Sequence, residues 1–247
     1  MGLTINYRLV APEGLSAPRA AALVRRLHAE AHRLIATGRV ARVLPISTDR
    51  ADLERWGSTW CPLRHPEAPD LAVGHAVLPE AGWVFPVELG EGAEWLWLGL
   101  CRYPNRVTAQ GRRHATRLGP RWRFSGFCKT QYASVHGWEH FARCHLAARE
   151  LLTQWREAGV HVRINDEGGC WPRVHLATLR ARLDQMNGIV AAFAGALKDA
   201  AEDTDGAPIE SPIFAHPGFE RLEAEGLTRN AAHIHQAVKA LSERSLE

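Results

Sequence analysis

Residues 121–166 read RWRFSGFCKTQYASVHGWEHFARCHLAARELLTQWREAGVHVRIND, and this stretch decides the predicted fold. Its first part, as far as Tyr132, has the alternation that is typical of a strand. Residues 137–158 then carry apolar side chains at helical spacing, and Gly159 ends that helix. Residues 161–166 alternate again. Strand, helix and strand form a βαβ unit, whose crossover we expect to be right-handed and whose two strands we expect to be parallel.

The flanking sequence adds further strands and helices. Residues 4–10 alternate as a first strand, and residues 40–46 read as a short second strand. Residues 83–88 and 95–101 flank a turn-like sequence and predict a hairpin. Helical patterns cover residues 16–38, residues 175–201 and, after a Pro/Gly-rich linker, one short segment and residues 228–243. Loops are predicted from residue 47 to about residue 70 and, with a strongly basic composition, over residues 104–120.

The order of these elements predicts an α+β fold. We expect a mixed β-sheet of about six strands with packed helices, containing the βαβ unit of residues 121–166 and followed by C-terminal helices. Residues 1–203 are predicted to form the α+β domain, and residues 204–247 a helical C-terminal appendage packed on the same domain. Residues 95–100, WLWLGL, are apolar on both faces, which is typical of a central strand covered on both sides.

Composition is that of a globular protein. Of the 247 residues, 46% are apolar and 23% are charged, which argues against disorder. The chain has nine tryptophans, whose large side chains have to be buried in a core, a groove or an interface. Five irregularly spaced cysteines suit free thiols in a reducing compartment better than a disulfide framework. No secretory signal is visible and the longest apolar run is too short to span a membrane, so we predict a cytoplasmic protein without a membrane partner.

Positive charge is concentrated in one segment. Residues 95–138 contain no Asp or Glu but hold seven arginines and Lys129, whereas the whole chain has a formal net charge of only +3. This separation of charge favours an anionic partner. A surface loop that balances acidic neighbours such as Glu91 and Glu94 would produce the same composition.

The βαβ unit brings polar residues to one edge of the sheet, where the helix N-terminus meets the C-terminal ends of both strands. Ligands favour that edge because backbone N–H groups point towards it. The residues predicted to bind an anionic substrate there, or from the adjoining basic segment, are Arg102, Tyr103, Lys129, Gln131, Tyr132 and Glu167. The Asp-Glu-Gly-Gly sequence at residues 166–169 fits a solvated turn equally well.

A catalytic centre is predicted from Cys128, His145 and Asp166. Lys129 and the nearby arginines would favour the Cys128 thiolate. His145, on the inward face of the following helix, would act as its base, and Asp166 would orient the imidazole. The alternative is that Cys128 is a small buried apolar residue, as free cysteines in strands commonly are.

A zinc site is a further alternative in the same helix. His136, His140 and Cys144 recur every four residues and so share one helical face, with Cys128 or Asp166 as a fourth ligand. No CxxC pair closes such a site, so neither a metal nor a cofactor is predicted, and zinc binding stays open.

These observations predict a polar, basic pocket for an anionic small molecule, and they leave open whether the protein is an enzyme. One alternative is a non-catalytic module that binds an acidic protein surface, for example a toxin that it neutralises. Another is nucleic-acid binding, which ranks lower because aromatic residues are not interleaved with Lys and Arg along the chain. The sequence does not determine the oligomeric state.

Overall fold

The computed structural model describes residues 3–64, 72–109, 111–202 and 209–244. The strands are β1 (Thr4–Val10), β2 (Arg42–Val43), β3 (Thr59–Arg64), β4 (Ala72–Val77), β5 (Ala81–Glu88), β6 (Leu96–Arg102), β7 (Arg106–Ala109), β8 (Arg112–Ala115), β9 (Arg123–Lys129) and β10 (His161–Asp166). The α-helices are α1 (Ala17–Ala36), α2 (Arg50–Trp56), α3 (Trp138–Glu157), α4 (Leu176–Glu202) and α5 (Phe219–Arg244). Short 3-10 helices cover Gln131–His136 and Pro212–Ala215.

A six-stranded sheet with the order β10-β1-β9-β6-β5-β2 organises the fold, and it confirms the α+β class. Each pair of neighbouring strands is antiparallel. Because β1 runs antiparallel to both of its neighbours, β9 and β10 are parallel to each other, as the βαβ unit requires. They are not adjacent, since β1 lies between them. Two small hairpins, β3–β4 and β7–β8, stand apart from the main sheet.

Helices α1 and α3 pack on one face of the sheet. Their apolar stripes and the inward side chains of the strands form one hydrophobic cluster. In β6, Leu96, Leu98 and Leu100 are fully buried in this cluster, whereas Trp97, on the opposite face, is only half-buried. The strand is central, as predicted, but its second face is covered only in part.

The strand predicted as far as Tyr132 ends at Lys129, and the one predicted over residues 40–46 is only Arg42–Val43. Three further segments differ in type from the predicted elements. The residues after 47, predicted to be loops, contain α2 and β3; the Asp49 side chain caps α2 by accepting a hydrogen bond from the Ala51 N–H at 2.8 Å. The basic segment of residues 104–120, predicted to be a loop, contains the hairpin β7–β8. Its two strands pair in antiparallel fashion although they carry several arginines. The C-terminal part of the chain forms one long helix, α5, rather than a short helix and a later one.

Helix α5 packs closely along α4, and two glycines allow the close approach. A Cβ atom on Gly226 would lie 2.0 Å from the Gly188 carbonyl oxygen, so a larger residue there would push the helices apart. Among the described residues, no helix is both long and apolar enough to cross a membrane.

Candidate functional site

The structure brings together two of the predicted catalytic residues. His145 Nε2 lies 3.1 Å from Asp166 Oδ1, and the two side chains are 0% and 4% exposed. Thr130 Oγ1 contacts the other ring nitrogen, Nδ1, at 2.9 Å. The Asp166 carboxylate also accepts hydrogen bonds from the backbone N–H groups of Gly168 and Cys170, at 2.8 and 2.7 Å. Helix α3 therefore supplies an imidazole to the end of β10, as the βαβ geometry predicts, but solvent does not reach it.

The third predicted catalytic residue, Cys128, is fully buried on the helix-packed face of β9. Burial, reinforced by the nearby Glu94 carboxylate, raises the pKa of the Cys128 thiol well above its usual value. The thiol donates a hydrogen bond to the Glu94 carbonyl oxygen at 3.2 Å. A protonated, inaccessible thiol is a poor nucleophile, so this geometry does not support the predicted role of Cys128.

The predicted substrate-binding residues near the His145 end of the sheet each have a structural partner. Lys129 Nζ lies 3.9 Å from Glu94 Oε1. The Glu167 carboxylate accepts a hydrogen bond from the Thr4 N–H at 2.8 Å. Gln131 is buried, and its amide accepts from the Leu3 N–H at 3.0 Å and donates to Asn187 at 2.8 Å.

The other predicted substrate-binding residues lie elsewhere. Tyr132 packs in a second hydrophobic cluster, formed with α4 and α5. Arg102 ends β6 beside Arg123, at the far end of the sheet from Lys129. Tyr103 is buried, and its hydroxyl donates to the Gly57 carbonyl oxygen at 2.6 Å. The structure thus spreads this set over the molecule instead of gathering it around one pocket.

The zinc alternative on α3 also has a different geometry from the one predicted. The His136 and His140 rings lie 5.1 Å apart, but His140 uses Nε2 to bond the Glu91 carbonyl oxygen and Nδ1 to contact Arg143. Among the described residues, the side chains close enough to share a metal ion are instead His145, Asp166 and Cys170. Cys170 was not predicted as a ligand, because it follows the Gly-Gly turn after β10 and lies outside the four-residue repeat of His136, His140 and Cys144.

A group of exposed polar, charged and aromatic side chains lies on the sheet face opposite α1 and α3. The outer residues of three adjacent strands are exposed there: Asn6 and Arg8 of β1, Phe127 of β9, and His161, Arg163 and Asn165 of β10. Register places Arg8 directly opposite Arg163 on one side and Ser125 on the other. Phe127 is 56% exposed, which is unusual for a large aromatic side chain. We call this surface the open face.

Three arginines give the open face its charge: Arg8, Arg163 and, on the outer side of β9, Arg123. In the described part of the chain, none of the three forms an ion pair with a carboxylate. Arg123 Nε is buried without a hydrogen-bond partner. Burial, with Arg8 and Arg121 close by, lowers the pKa of Arg123. The Arg8 and Arg123 guanidinium groups therefore repel each other, and none of the three arginines has a carboxylate counter-charge among the described residues.

A groove with a volume of about 920 Å³ adjoins the open face at Phe127. Its floor includes Trp97 of β6, and its wall is formed by α2 and the start of β3. Trp56 stacks on Trp97 with ring centroids 4.1 Å apart, and the Arg55 guanidinium lies 4.6 Å from the Trp56 ring centre. Trp60 is 67% exposed at the edge of the groove. Among the described residues, this lining includes none of the predicted site residues.

The groove and the open face were not predicted as a site, although the sequence carries signals for both. The high tryptophan content indicates a groove or an interface, and β10 alternates His161, Arg163 and Asn165 with apolar residues. What the sequence lacks is the lateral order of the strands, which puts residues 8, 123 and 163 on one surface.

The chain matches no protein-family model, no curated protein and no solved structure.

Proposed function

We propose that this protein binds single-stranded nucleic acid across the open face, with bases entering the tryptophan-lined groove. The observation that carries the proposal is the cluster of Arg8, Arg123 and Arg163, which lack carboxylate partners in the described structure and lie beside the exposed ring of Phe127. Cationic and aromatic side chains side by side on one surface are what a single strand needs.

The arginines support phosphate binding. Arg8 and Arg163 are direct cross-strand neighbours, and like charges in that position destabilise a sheet. The unpartnered Arg123 Nε adds a buried donor whose desolvation the protein does not offset. An anion on this face would relieve the repulsion and satisfy the donor, and the guanidinium fork matches the geometry of a phosphate.

The aromatic residues support base stacking. Phe127 and Trp60 are both more than half exposed, so their rings are accessible to a ligand. Stacking requires the face of a base, which a single strand offers and a duplex hides. The stacked pair Trp56–Trp97 joins the wall of the groove to its floor, and the mostly apolar lining suits a base better than a phosphate.

The hairpin β7–β8 extends the positive charge beyond the sheet. It leaves the sheet after Arg102, next to Arg123, and its exposed arginines are Arg106, Arg112 and Arg113. A phosphate backbone that follows the open face past Arg123 would reach this hairpin next, which supports a ligand longer than a single nucleotide.

This proposal takes the place of the anionic small molecule that the sequence favoured. The residues expected to hold that molecule are spread over the structure, and Cys128 and Asp166 are buried. Arginine and aromatic residues do not alternate along the sequence. On the open face they are neighbours because they come from different, adjacent strands.

The test is fluorescence anisotropy with a labelled oligo(dT) strand at several salt concentrations. Three phosphate contacts predict a slope of log affinity against log salt of about −2, since each contact to a single strand contributes about −0.7. Affinity should therefore fall about 20-fold between roughly 50 and 200 mM salt. Arg8→Gln should make the slope shallower by about 0.7.

Phe127→Ala separates stacking from charge. It should weaken binding by about 1–3 kcal/mol, or roughly 5- to 150-fold, and leave the slope unchanged. Arg33→Gln is the matched control, because Arg33 lies on α1, on the other side of the sheet, and pairs with Glu30 at 2.7 Å. Absence of salt-dependent binding would contradict the proposal. Binding of poly-glutamate but not of oligo(dT) would assign the face to an acidic protein instead.

A further inference from the structure

We propose that His145, Asp166 and Cys170 bind a zinc ion that joins the end of β10 to α3. The site is separate from the open face and does not depend on nucleic-acid binding. It uses the two residues of the predicted catalytic centre that the structure brings together, and it adds the thiol of Cys170.

The distances suit zinc. One ligand atom from each residue lies within 4.8 Å of the other two, and His145 Nε2 is 3.1 Å from Asp166 Oδ1. In a tetrahedral site with Zn–N and Zn–O bonds of about 2.0–2.1 Å, the two donor atoms are about 3.3 Å apart. The ion would therefore fit between these atoms with only small side-chain movements.

Burial and charge also suit zinc. His145 and Cys170 are completely buried, and the Asp166 side chain is 4% exposed. A buried cation requires balancing charge, and one thiolate with one carboxylate neutralises Zn²⁺. The mixture of nitrogen, oxygen and sulfur donors favours zinc over magnesium or calcium, which take oxygen ligands.

The surrounding hydrogen bonds hold the ligands in place. When zinc occupies Nε2, the imidazole proton sits on Nδ1 and donates to Thr130 Oγ1, which lies 2.9 Å away. The Gly168 and Cys170 N–H groups orient the Asp166 carboxylate, at 2.8 and 2.7 Å. Outer contacts of this kind are typical of metal-binding imidazoles and carboxylates.

Three protein ligands leave one position of a tetrahedral site. A water molecule would complete it.

The experiment loads the full chain with zinc, removes the excess by gel filtration and measures zinc per chain by mass spectrometry. We expect about one zinc per wild-type chain. Cys170→Ala should lose most of this zinc and weaken zinc affinity more than tenfold. Cys144→Ala is the matched control, because Cys144 is an equally buried thiol outside the cluster, and it should keep the zinc.

The absorption spectrum of the cobalt-loaded protein reports directly on the bond between the metal and a thiolate. A variant that is merely less stable would keep this absorption band. Wild type and Cys144→Ala loaded with Co²⁺ should show a thiolate-to-cobalt absorption band in the near ultraviolet, and Cys170→Ala should lack it. Zinc should raise the Tm of wild type but not that of Cys170→Ala. A zinc content well below one per wild-type chain, or equal zinc affinity in wild type and Cys170→Ala, would overturn the proposal and leave His145–Asp166 as a hydrogen-bonded pair.

Discussion

Replacement of Arg163 should make the protein more stable, which is an unusual expectation for an exposed arginine. Arg163 on β10 lies directly opposite Arg8 on β1, and in the described structure neither has a carboxylate partner. Arg163→Gln removes one of the two charges and keeps a long polar side chain. The variant therefore relieves repulsion and opens no cavity, because the side chain is on the surface.

The expected gain follows from two estimates. Two unit charges about 7 Å apart in a dielectric close to that of water repel by about 0.6 kcal/mol. Favourable cross-strand pairs contribute roughly 0.2–1 kcal/mol, and directly opposed like charges act in the opposite, destabilising direction. The free energy of unfolding should thus rise by about 0.5 kcal/mol, which moves the urea midpoint by about 0.2 M if the m-value is about 3 kcal/mol/M.

The assay is urea denaturation of both proteins at low salt and at about 1 M NaCl, where the Debye length falls to about 3 Å and the difference should disappear. Arg42→Gln is the matched control, because Arg42 faces Glu88 across the β2–β5 ladder, with Nε 2.8 Å from the carboxylate, and its loss should not stabilise. Arg163→Gln should also weaken oligo(dT) binding. A lower stability of Arg163→Gln at low salt would refute the repulsion on which the proposed function depends.

Two further predictions concern the buried polar groups. Burial by itself would raise the pKa of Asp166, but the hydrogen bonds from His145, Cys170 and Gly168 bring it below its usual value. A carboxyl whose pKa is lower in the folded than in the unfolded state stabilises the folded state. This stabilisation is fully present above the pKa of the unfolded state, about 4, and it is lost as the pH falls through the pKa of the folded state. The difference in free energy of unfolding between wild type and Asp166→Asn should therefore shrink below about pH 4, and a constant difference would contradict this. Because Cys128 is fully buried with a raised pKa, its thiol should react with Ellman's reagent at neutral pH only after unfolding; mass mapping of a rapidly labelled Cys128 in the folded protein would show otherwise.

Local alternation was enough to predict two neighbouring strands of the main sheet, β1 and the edge strand β10. The predicted bounds of β1 and β10 agree with the structure at both ends, because each strand has one face in the core and one in solvent. The hairpin of β5 and β6 was predicted because its two segments flank a turn-like sequence. The segments β3, β4, β7 and β8 were missed. Proline interrupts β3 and arginines occur in β7 and β8, and all four strands pair outside the main sheet.

The candidate site was predicted only where one supersecondary unit determines it. His145 and Asp166 meet because a crossover helix must return to the sheet beside the strand that follows it. Accessibility was not predictable in the same way. The fully buried state of Cys128 and the hydrogen-bonded state of Gln131 depend on β1, α3 and α4 packing around them.

The amino-acid sequence by itself determined the α+β class, the βαβ unit and the separation of charge along the chain, since these follow from local periodicity and composition. The tertiary structure alone decided which arginines share a surface. Arg8, Arg123 and Arg163 are more than a hundred residues apart at the extremes, and they share a face because β1 enters the sheet between β9 and β10. Strand order is set by the burial of one common core, and no local pattern of residues records it.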